Sequence, residues 1–370
     1  MSRRAVPTPV RMVAVVLLLY VFLVGISLLE TGIAGLGSGF TDGLLASVAN
    51  PVSGLFAGLL FTVLVQSSSV STSAIVGLVG AGTLTVPLAV PMIMGANIGT
   101  TVTNTFAALG NIRRPDEFQR GFAAATMHDF FNLLAVLVLL PIELATGVLA
   151  SSADALTDVL RGRQVSEVGA SPIKRVVSRP VELIDSLVPD SGQLAAVLFL
   201  GCGLALIFLA LGAITSTMRQ LVAGSIEQAF NRVVSRGAGA IGILVGLLVT
   251  VAVQSSSITT SILVPLVAAG ILSVQNAYPV TIGANVGTTV TALIASLAVV
   301  SPDGLTIALV HTLFNVFALV LLYPLPWLRK VPVQLAQTLA TAAVRRRSYV
   351  IAYILIVFLL IPILGVAILP

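Results

Sequence analysis

The chain has 370 residues, 57% of them hydrophobic and 9% charged, with a mean hydropathy of +1.09; an average soluble domain carries roughly 25% charged residues. That composition excludes a soluble protein and predicts an all-α integral membrane protein of the cell membrane, built from spans of about 20 apolar residues. The net charge of +5 comes from arginines that flank apolar segments, with no basic stretch interleaved with aromatics, so nucleic acid is not an expected partner, and a single cysteine, Cys202, rules out a disulfide framework.

In chain order, Val10–Leu29 follows Arg3 and Arg4 and takes in Arg11. Its apolar core is too long for a signal peptide and no small-residue cleavage site is evident, so a retained helix is expected. Thr83–Gly110 and Phe122–Leu140 come next, separated by the charged NIRRPDEFQR. Leu194–Ile214, Tyr278–Val300, Leu305–Leu322 and Tyr349–Leu369 complete seven expected transmembrane helices. Two further apolar stretches, about 51–82 and 237–270, are too long for one span and carry polar clusters at their middles. Each is expected to form a re-entrant hairpin. A limb of about 15 residues at ~1.5 Å rise reaches ~22 Å, enough to enter the bilayer but not to cross it with ease.

The polar clusters repeat. VQSSSVSTSA starts at Val65 and VQSSSITTSI at Val253, an offset of 188. MGANIGTTVTNT (Met94–Thr105) and IGANVGTTVTAL (Ile282–Leu293) match at the same offset, and HDFFN (His128–Asn132) matches HTLFN (His311–Asn315) at 183. Three ordered matches read as a duplication. If each hairpin returns to the side it left, Arg113, Arg114, Arg120, Arg219, Arg232, Arg236, Arg329, Lys330 and Arg345–Arg347 fall on one side, which the positive-inside rule makes cytoplasmic. The N-terminus is then cytoplasmic and the C-terminus extracytoplasmic. The linker also lies outside, mixing Asp154, Asp158, Glu167 and Asp185 with Arg161, Arg163, Lys174 and Arg175. One hairpin enters from each side, so the repeats are inverted, as in secondary transporters. The expected organisation is a first repeat over 1–149, a linker over 150–193, a second repeat over 194–324, and a basic loop with a final helix over 325–370.

Backbone unpaired in hydrocarbon is costly, so a break at Gln66–Ser69 must line a wet or protein-walled cavity. The helices that follow the breaks are expected to begin near Ser68–Ser69 and Ser256–Ser257. Serine is a favoured N-cap, each helix start carries roughly half a positive charge, and two converging starts make an anion site. With no Lys or Arg nearby, bound cations would have to balance a multivalent anion. Asn97, Thr100, Thr101 and their counterparts Asn285, Thr288, Thr289 offer neutral oxygens suited to Na⁺. Asp129 sits in the apolar run Gly121–Leu140, where a carboxylate costs ~2.5–3.5 kcal/mol on insertion scales and is a functional candidate by default. His128 and His311, with Asn132 and Asn315, occupy equivalent positions and read as structural hydrogen bonds made in both repeats. Glu30 and Glu143 lie at span ends, within reach of headgroups.

Nothing points to a cofactor. The sequence has no Cys/His cluster, no Gly-Lys-Ser/Thr phosphate loop and no dinucleotide fingerprint, so neither a transition metal nor a nucleotide is an expected partner. A serine hydrolase would need one nucleophile on a strained Gly-x-Ser-x-Gly turn, whereas the serine motif here is duplicated, so an enzyme is not expected. An anion channel, free of sodium coupling, shares the expected architecture.

The paired VQSSS motifs, together with the run from Met94 to Glu143, resemble the type II sodium-dependent phosphate cotransporter family. The resemblance covers roughly 28–358 and includes SPIKRVVSRPVELIDS in the linker. It implies sodium-coupled uptake of inorganic phosphate by alternating access. Ser67, Ser68, Ser69 and Ser255, Ser256, Ser257 would surround phosphate, and Gln66, Gln254 and nearby Asn and Thr residues would build sodium sites. Asp129 resembles the family position where Asp accompanies net charge movement and Gly accompanies electroneutral transport, implying about three Na⁺ per divalent phosphate. The linker lacks the long Cys-containing insertion of animal members, and the chain stops after Leu369 without their further span and tail, so it resembles a compact prokaryotic member.

Overall fold

The computed structural model describes residues 7–162, 172–187, 192–236 and 239–369, and every regular element among them is a helix. Arg3, Arg4, Arg163 and Glu167, used in the topology argument, lie outside the described residues. In chain order the first eight helices are α1 (Thr8–Gly35), α2 (Ser38–Ser47), α3 (Pro51–Val65), α4 (Ser68–Gly80), α5 (Val86–Gly99), α6 (Val102–Ala108), α7 (Pro115–Thr146) and α8 (Val148–Gly162). They are followed by α9 (Pro172–Leu187), α10 (Gln193–Arg236), α11 (Gly239–Val253), α12 (Ser256–Ala268), α13 (Val274–Ser296), α14 (Pro302–Leu322), α15 (Pro326–Arg345) and α16 (Ser348–Ile368). Proline in the first turn of α3, α5, α7, α14 and α15 marks their starts, because that turn has no use for the missing N–H.

Six helices among the described residues are long and apolar enough to cross a membrane: Thr8–Gly35, Val86–Asn111, Pro115–Thr146, Gln193–Val222, Pro302–Leu322 and Ser348–Ile368. A bent pair, Gly39–Ser47 with Pro51–Val65 at 103°, is a seventh candidate. The six match six of the seven expected spans. The other, Tyr278–Val300, is the helix α13, whose buried face carries Thr281, Asn285, Thr288, Thr289 and Thr291; polar residues inside the protein lower its apolarity. Each of the two stretches expected to form a hairpin holds a pair of short helices, α3–α4 and α11–α12, interrupted at Gln66–Ser67 and Gln254–Ser255. Residues 237 and 238, at the expected start of the second hairpin, lie outside the described residues.

The pairs are anchored in the same way. Helix α3 packs on α5, and α11 packs on α13. A Cβ on Gly95 would lie 1.9 Å from the Leu55 carbonyl oxygen, and one on Gly283 would lie 1.9 Å from that of Ile243. These glycines let two backbones touch, the small-residue packing that membranes favour where lipid gives no hydrophobic drive between helices. The halves also interlock. Helix α4 lies against α13 and α14, while α12 lies against α6 and α7, and α1 runs along α10.

Three expectations change. The linker, for which no regular element was expected, is helical over most of its described part, in α8 and α9. Glu143 does not reach for headgroups: it is 8% exposed, and its carboxylate accepts the Leu149 and Ala150 amides at 2.6 and 3.1 Å. It thereby neutralises the N-terminus of α8, where free amides favour negative charge. The basic loop after 325 is largely the helix α15, which buries Val333, Ala336, Ala340 and Ala343 and packs on α7. The three- and four-residue spacing of those apolar positions is that of one helix face.

Candidate functional site

The α3–α4 break is held by two residues. Gln66 takes a left-handed conformation, φ 57°, and ends α3; Ser67 then caps α4, its Oγ accepting the Val70 amide at 3.3 Å. The second break repeats this closely, with Gln254 at φ 56° and Ser255 Oγ accepting the Ile258 amide at 3.3 Å. At each helix start the first amides, those of Ser68 and Ser69 or of Ser256 and Ser257, have no intrahelical acceptor. Gln66, Ser67, Ser68 and Ser69 face the same cavity as Gln254, Ser255, Ser256 and Ser257, with Phe208, Leu211, Gly212 and Thr215 of α10 as a further wall. The cavity measures about 160 Å³, room for about five waters at ~30 Å³ each, so it suits a small ion rather than an organic ligand. No charged side chain among the described residues lines it. Two serine-capped helix starts therefore supply amides, hydroxyls and partial positive charge to one small space.

The other predicted residues meet elsewhere, where the two halves cross. Asn285 Nδ2 donates to Asn132 Oδ1 at 2.6 Å, and Asn315 Nδ2 donates to Asn97 Oδ1 at 3.3 Å, so each GAN asparagine pairs with the HxxxN asparagine of the other half. Asn132 Nδ2 also reaches the Asn97 carbonyl oxygen at 2.7 Å. His128 Nε2 donates to Asn285 Oδ1 at 2.6 Å. Its Nδ1 is then the acceptor for Asn104 Nδ2 at 3.3 Å, which assigns the neutral Nε2–H tautomer. His311 is not engaged in the same way, for neither ring nitrogen has a partner among the described residues. The expectation of one structural hydrogen bond made in both repeats thus fails at this pair. Part of the cause is visible in the sequence, since the counterpart of Asn104, the partner of His128 Nδ1, is Ala292 at the 188 offset; at Nε2 the counterpart of Asn285 is Asn97, whose Oδ1 accepts Asn315 Nδ2 instead.

The predicted threonines are divided too. Thr100 and Thr101, between α5 and α6, donate to backbone carbonyls of α5, and Thr289 donates to one within α13, while the buried Thr288 hydroxyl has no partner among the described residues. None of Asn97, Thr100, Thr101, Asn285, Thr288, Thr289 or Asp129 lines the serine cavity. Asp129 is fully buried; its Oδ2 accepts the Tyr353 hydroxyl at 2.6 Å, and its Oδ1 has no hydrogen-bond partner among the described residues. The hydroxyls of Thr101 and Thr105 lie beside this carboxylate, and that of Thr105 is likewise unpartnered. A carboxyl oxygen and a hydroxyl, both without a hydrogen-bond partner among the described residues, brought together in this way suit a hard cation. No group of three or more His, Cys, Asp or Glu side chains capable of holding a metal occurs among the described residues.

Comparison with known proteins adds the decisive observation: the profile described as Na⁺/Pi-cotransporter matches residues 21–153 and 202–326, both serine clusters included. The chain belongs to the Na⁺/Pi-cotransporter family. Among its relatives, the sodium-dependent phosphate transport protein 2A of Ovis aries is 34% identical, with 97% of this chain and 68% of the relative aligned. The 2A protein of Rattus norvegicus is 35% identical, over 93% of this chain and 65% of the relative, and the 2B protein of Homo sapiens 30% identical, over 95% and 64%. The chain thus spans about two thirds of the length of these relatives. No solved structure matches it significantly.

For this Na⁺/Pi-cotransporter family member, the geometry also brings forward residues that sequence reasoning passed over. Thr103 donates to Gln66 Oε1 at 3.3 Å and Thr291 to Gln254 Oε1 at 3.0 Å, so each break is tied to the GTT segment of its own half. Both threonines lie inside the repeated motif at the common offset of 188, a signal that was available. Asn104 accepts the Thr260 and Ser261 hydroxyls at 2.9 and 3.2 Å, joining the first half to α12. Tyr353 and the α10 wall carried no local signal.

Proposed function

We propose that this Na⁺/Pi-cotransporter family member carries inorganic phosphate into the cell together with Na⁺, by alternating access, as a multi-pass protein of the cell membrane. The observation that supports this best is one small cavity lined by both serine-capped breaks and, among the described residues, by no charged side chain. Amides and hydroxyls there can bind a tetrahedral oxyanion, but partial charges alone do not balance a dianion. Cations bound nearby complete the site, which explains why anion and Na⁺ move together.

In this reading Ser67, Ser68, Ser69, Ser255, Ser256 and Ser257 hold phosphate. Gln66, Gln254, Asn97, Thr100, Thr101, Asn285, Thr288, Thr289 and Asp129 serve Na⁺, with His128, Asn132, His311 and Asn315 as structural support. Asp129 with Thr101, Thr105 and Tyr353 is the best-supported cation position, because a buried carboxylate oxygen is left unpaired there. Sodium binds first and orders the breaks, and phosphate follows. The two halves are inverted repeats over 1–149 and 194–324 with the linker 150–193 between them, and their rocking exchanges access. With the N-terminus cytoplasmic and the C-terminus outside, about three Na⁺ per divalent phosphate would move net positive charge inward. Neither catalysis nor a nucleotide enters this reading; Na⁺ is the coupling ion.

The test is radiolabelled phosphate uptake into proteoliposomes under an inward Na⁺ gradient against an equal K⁺ gradient. Concentrative uptake only with Na⁺ is the expected result. Equal, non-concentrative flux in both salts would make the protein an anion channel, and no flux would remove phosphate as the substrate.

A further inference from the structure

A second cavity, of about 520 Å³, lies at the end of the bundle where α13 and α15 begin. It shares no lining residue with the serine cavity. Its wall includes Gln275, Tyr278, Arg329, Lys330, Gln334 and Gln337, and no carboxylate among the described residues. We propose that this cavity is a second anion site, which recognises a phosphate group as inorganic phosphate or as a phosphomonoester headgroup.

Charge is the first argument. Arg329 and Lys330 stand near the start of α15, a helix with no acidic residue in its first turn, and the first-turn residues Gln275 and Asn276 of α13 line the same space. Cations at a helix start oppose the helix dipole, and a second helix start adds to the same positive field. Neither Arg329 nor Lys330 has an ion-pair partner among the described residues. An anion in the cavity removes that repulsion. Arg329 is already positioned, its guanidinium carbon over the Tyr323 ring 5.4 Å from the ring centre, and Tyr323 in turn lies 6.1 Å from Tyr278. A stacked guanidinium keeps its in-plane N–H groups free for a two-oxygen contact, the geometry that phosphate offers.

A buried donor is the second argument. Tyr278 is 2% exposed and lines the cavity, yet its hydroxyl has no hydrogen-bond partner among the described residues. Buried hydroxyls are rarely left so without a ligand or water to meet them.

Asymmetry is the third. At the 188 offset Gln275, Asn276 and Tyr278 correspond to Pro87, Leu88 and Val90, and at the 183 offset Tyr323 corresponds to Leu140. The equivalent place in the first half is apolar, so the fold itself does not require the polar lining. Arginines serving only as topology anchors need neither a cavity nor a buried hydroxyl.

The experiment uses the full chain in phosphatidylcholine nanodiscs, without Na⁺, and measures binding of radiolabelled inorganic phosphate by equilibrium dialysis. Arms with phosphatidic acid added follow lipid retained on the purified protein by mass spectrometry. Saturable phosphate binding that survives Ser256→Trp but weakens roughly tenfold or more in R329Q/K330Q is expected. Tyr278→Phe, which keeps the ring and removes only the hydroxyl, should weaken it as well. Phosphatidic acid retained by the wild type and lost in R329Q/K330Q supports the site with a headgroup as its source; phosphate binding without lipid enrichment supports it with the free anion. Identical phosphate and lipid binding by wild type and R329Q/K330Q overturns the proposal. These readouts need no transport, so failure of sodium-coupled uptake leaves them standing.

Discussion

Gln66 and Gln254 hold left-handed backbone at φ 57° and 56°, and they are the only non-glycine residues with positive φ among those described. Such a conformation costs a side-chain-bearing residue about 1–3 kcal/mol, so glycine would be the cheaper choice for the break alone. The side chain supplies the offset. Gln254 Nε2 donates to the Val251 carbonyl oxygen at 2.6 Å, satisfying an acceptor of the last turn of α11, and its Oε1 accepts Thr291. Gln66 does the same with Val63 and Thr103. Gln254→Gly is therefore expected to fold with unchanged or higher thermal stability while phosphate uptake falls roughly tenfold or more, since a 1 Å misplacement at a site can cost far more. Full uptake by that variant would reduce the glutamine to a cap.

At the scale of helices, close packing decides which positions tolerate change. The α11–α13 contact depends on Gly283, where an added Cβ would meet backbone rather than a movable side chain. Gly283→Ala should cost ~1–3 kcal/mol or more, read as a lower unfolding temperature of the purified protein. Gly201→Ala in α10, with nothing within 4 Å of the added Cβ, should instead stabilise by about 0.5–1 kcal/mol through helix propensity. The same order of stability for both variants would contradict the packing account. The two breaks and the apolar spans were legible beforehand because each is a local pattern. The linker helices and α15 were missed because charged residues on one face masked an apolar stripe at helical spacing.

For the whole molecule, the two halves are joined through polar contacts between residues far apart in sequence. His128 and Asn285 are 157 positions apart, and Tyr353 reaches Asp129 across 224. The last contact ties the final helix to the proposed cation position. In wild-type proteoliposomes, sodium-dependent uptake is expected to rise when the interior is made negative. Asp129→Asn should abolish that voltage response and raise the half-saturating Na⁺ concentration about tenfold or more, with Tyr353→Phe showing a smaller shift. An unchanged sodium and voltage dependence in Asp129→Asn would remove the carboxylate from the coupling mechanism.

Sequence by itself determined the membrane class, both breaks, the duplicated motifs and the serine, asparagine and threonine candidates. These follow from composition, from short-range periodicity and from matches at a fixed offset, all of which are properties of a line of residues. Only the tertiary structure decided that both serine clusters share one cavity, that Phe208, Leu211 and Thr215 close it, and that the GAN asparagines pair across the halves instead of lining it. An α10 residue facing the cavity is, in sequence, no different from one facing lipid, because the apolar solvent outside removes the polar–apolar alternation that marks an inner face in water. The contrast between His128, held by Asn104 and Asn285, and His311, which has no partner among the described residues, was legible in sequence only at Nδ1, where Ala292 stands for Asn104; the partner of Nε2 is set by how the halves pack. Equivalent residues in a duplicated chain acquire different partners once two copies interlock.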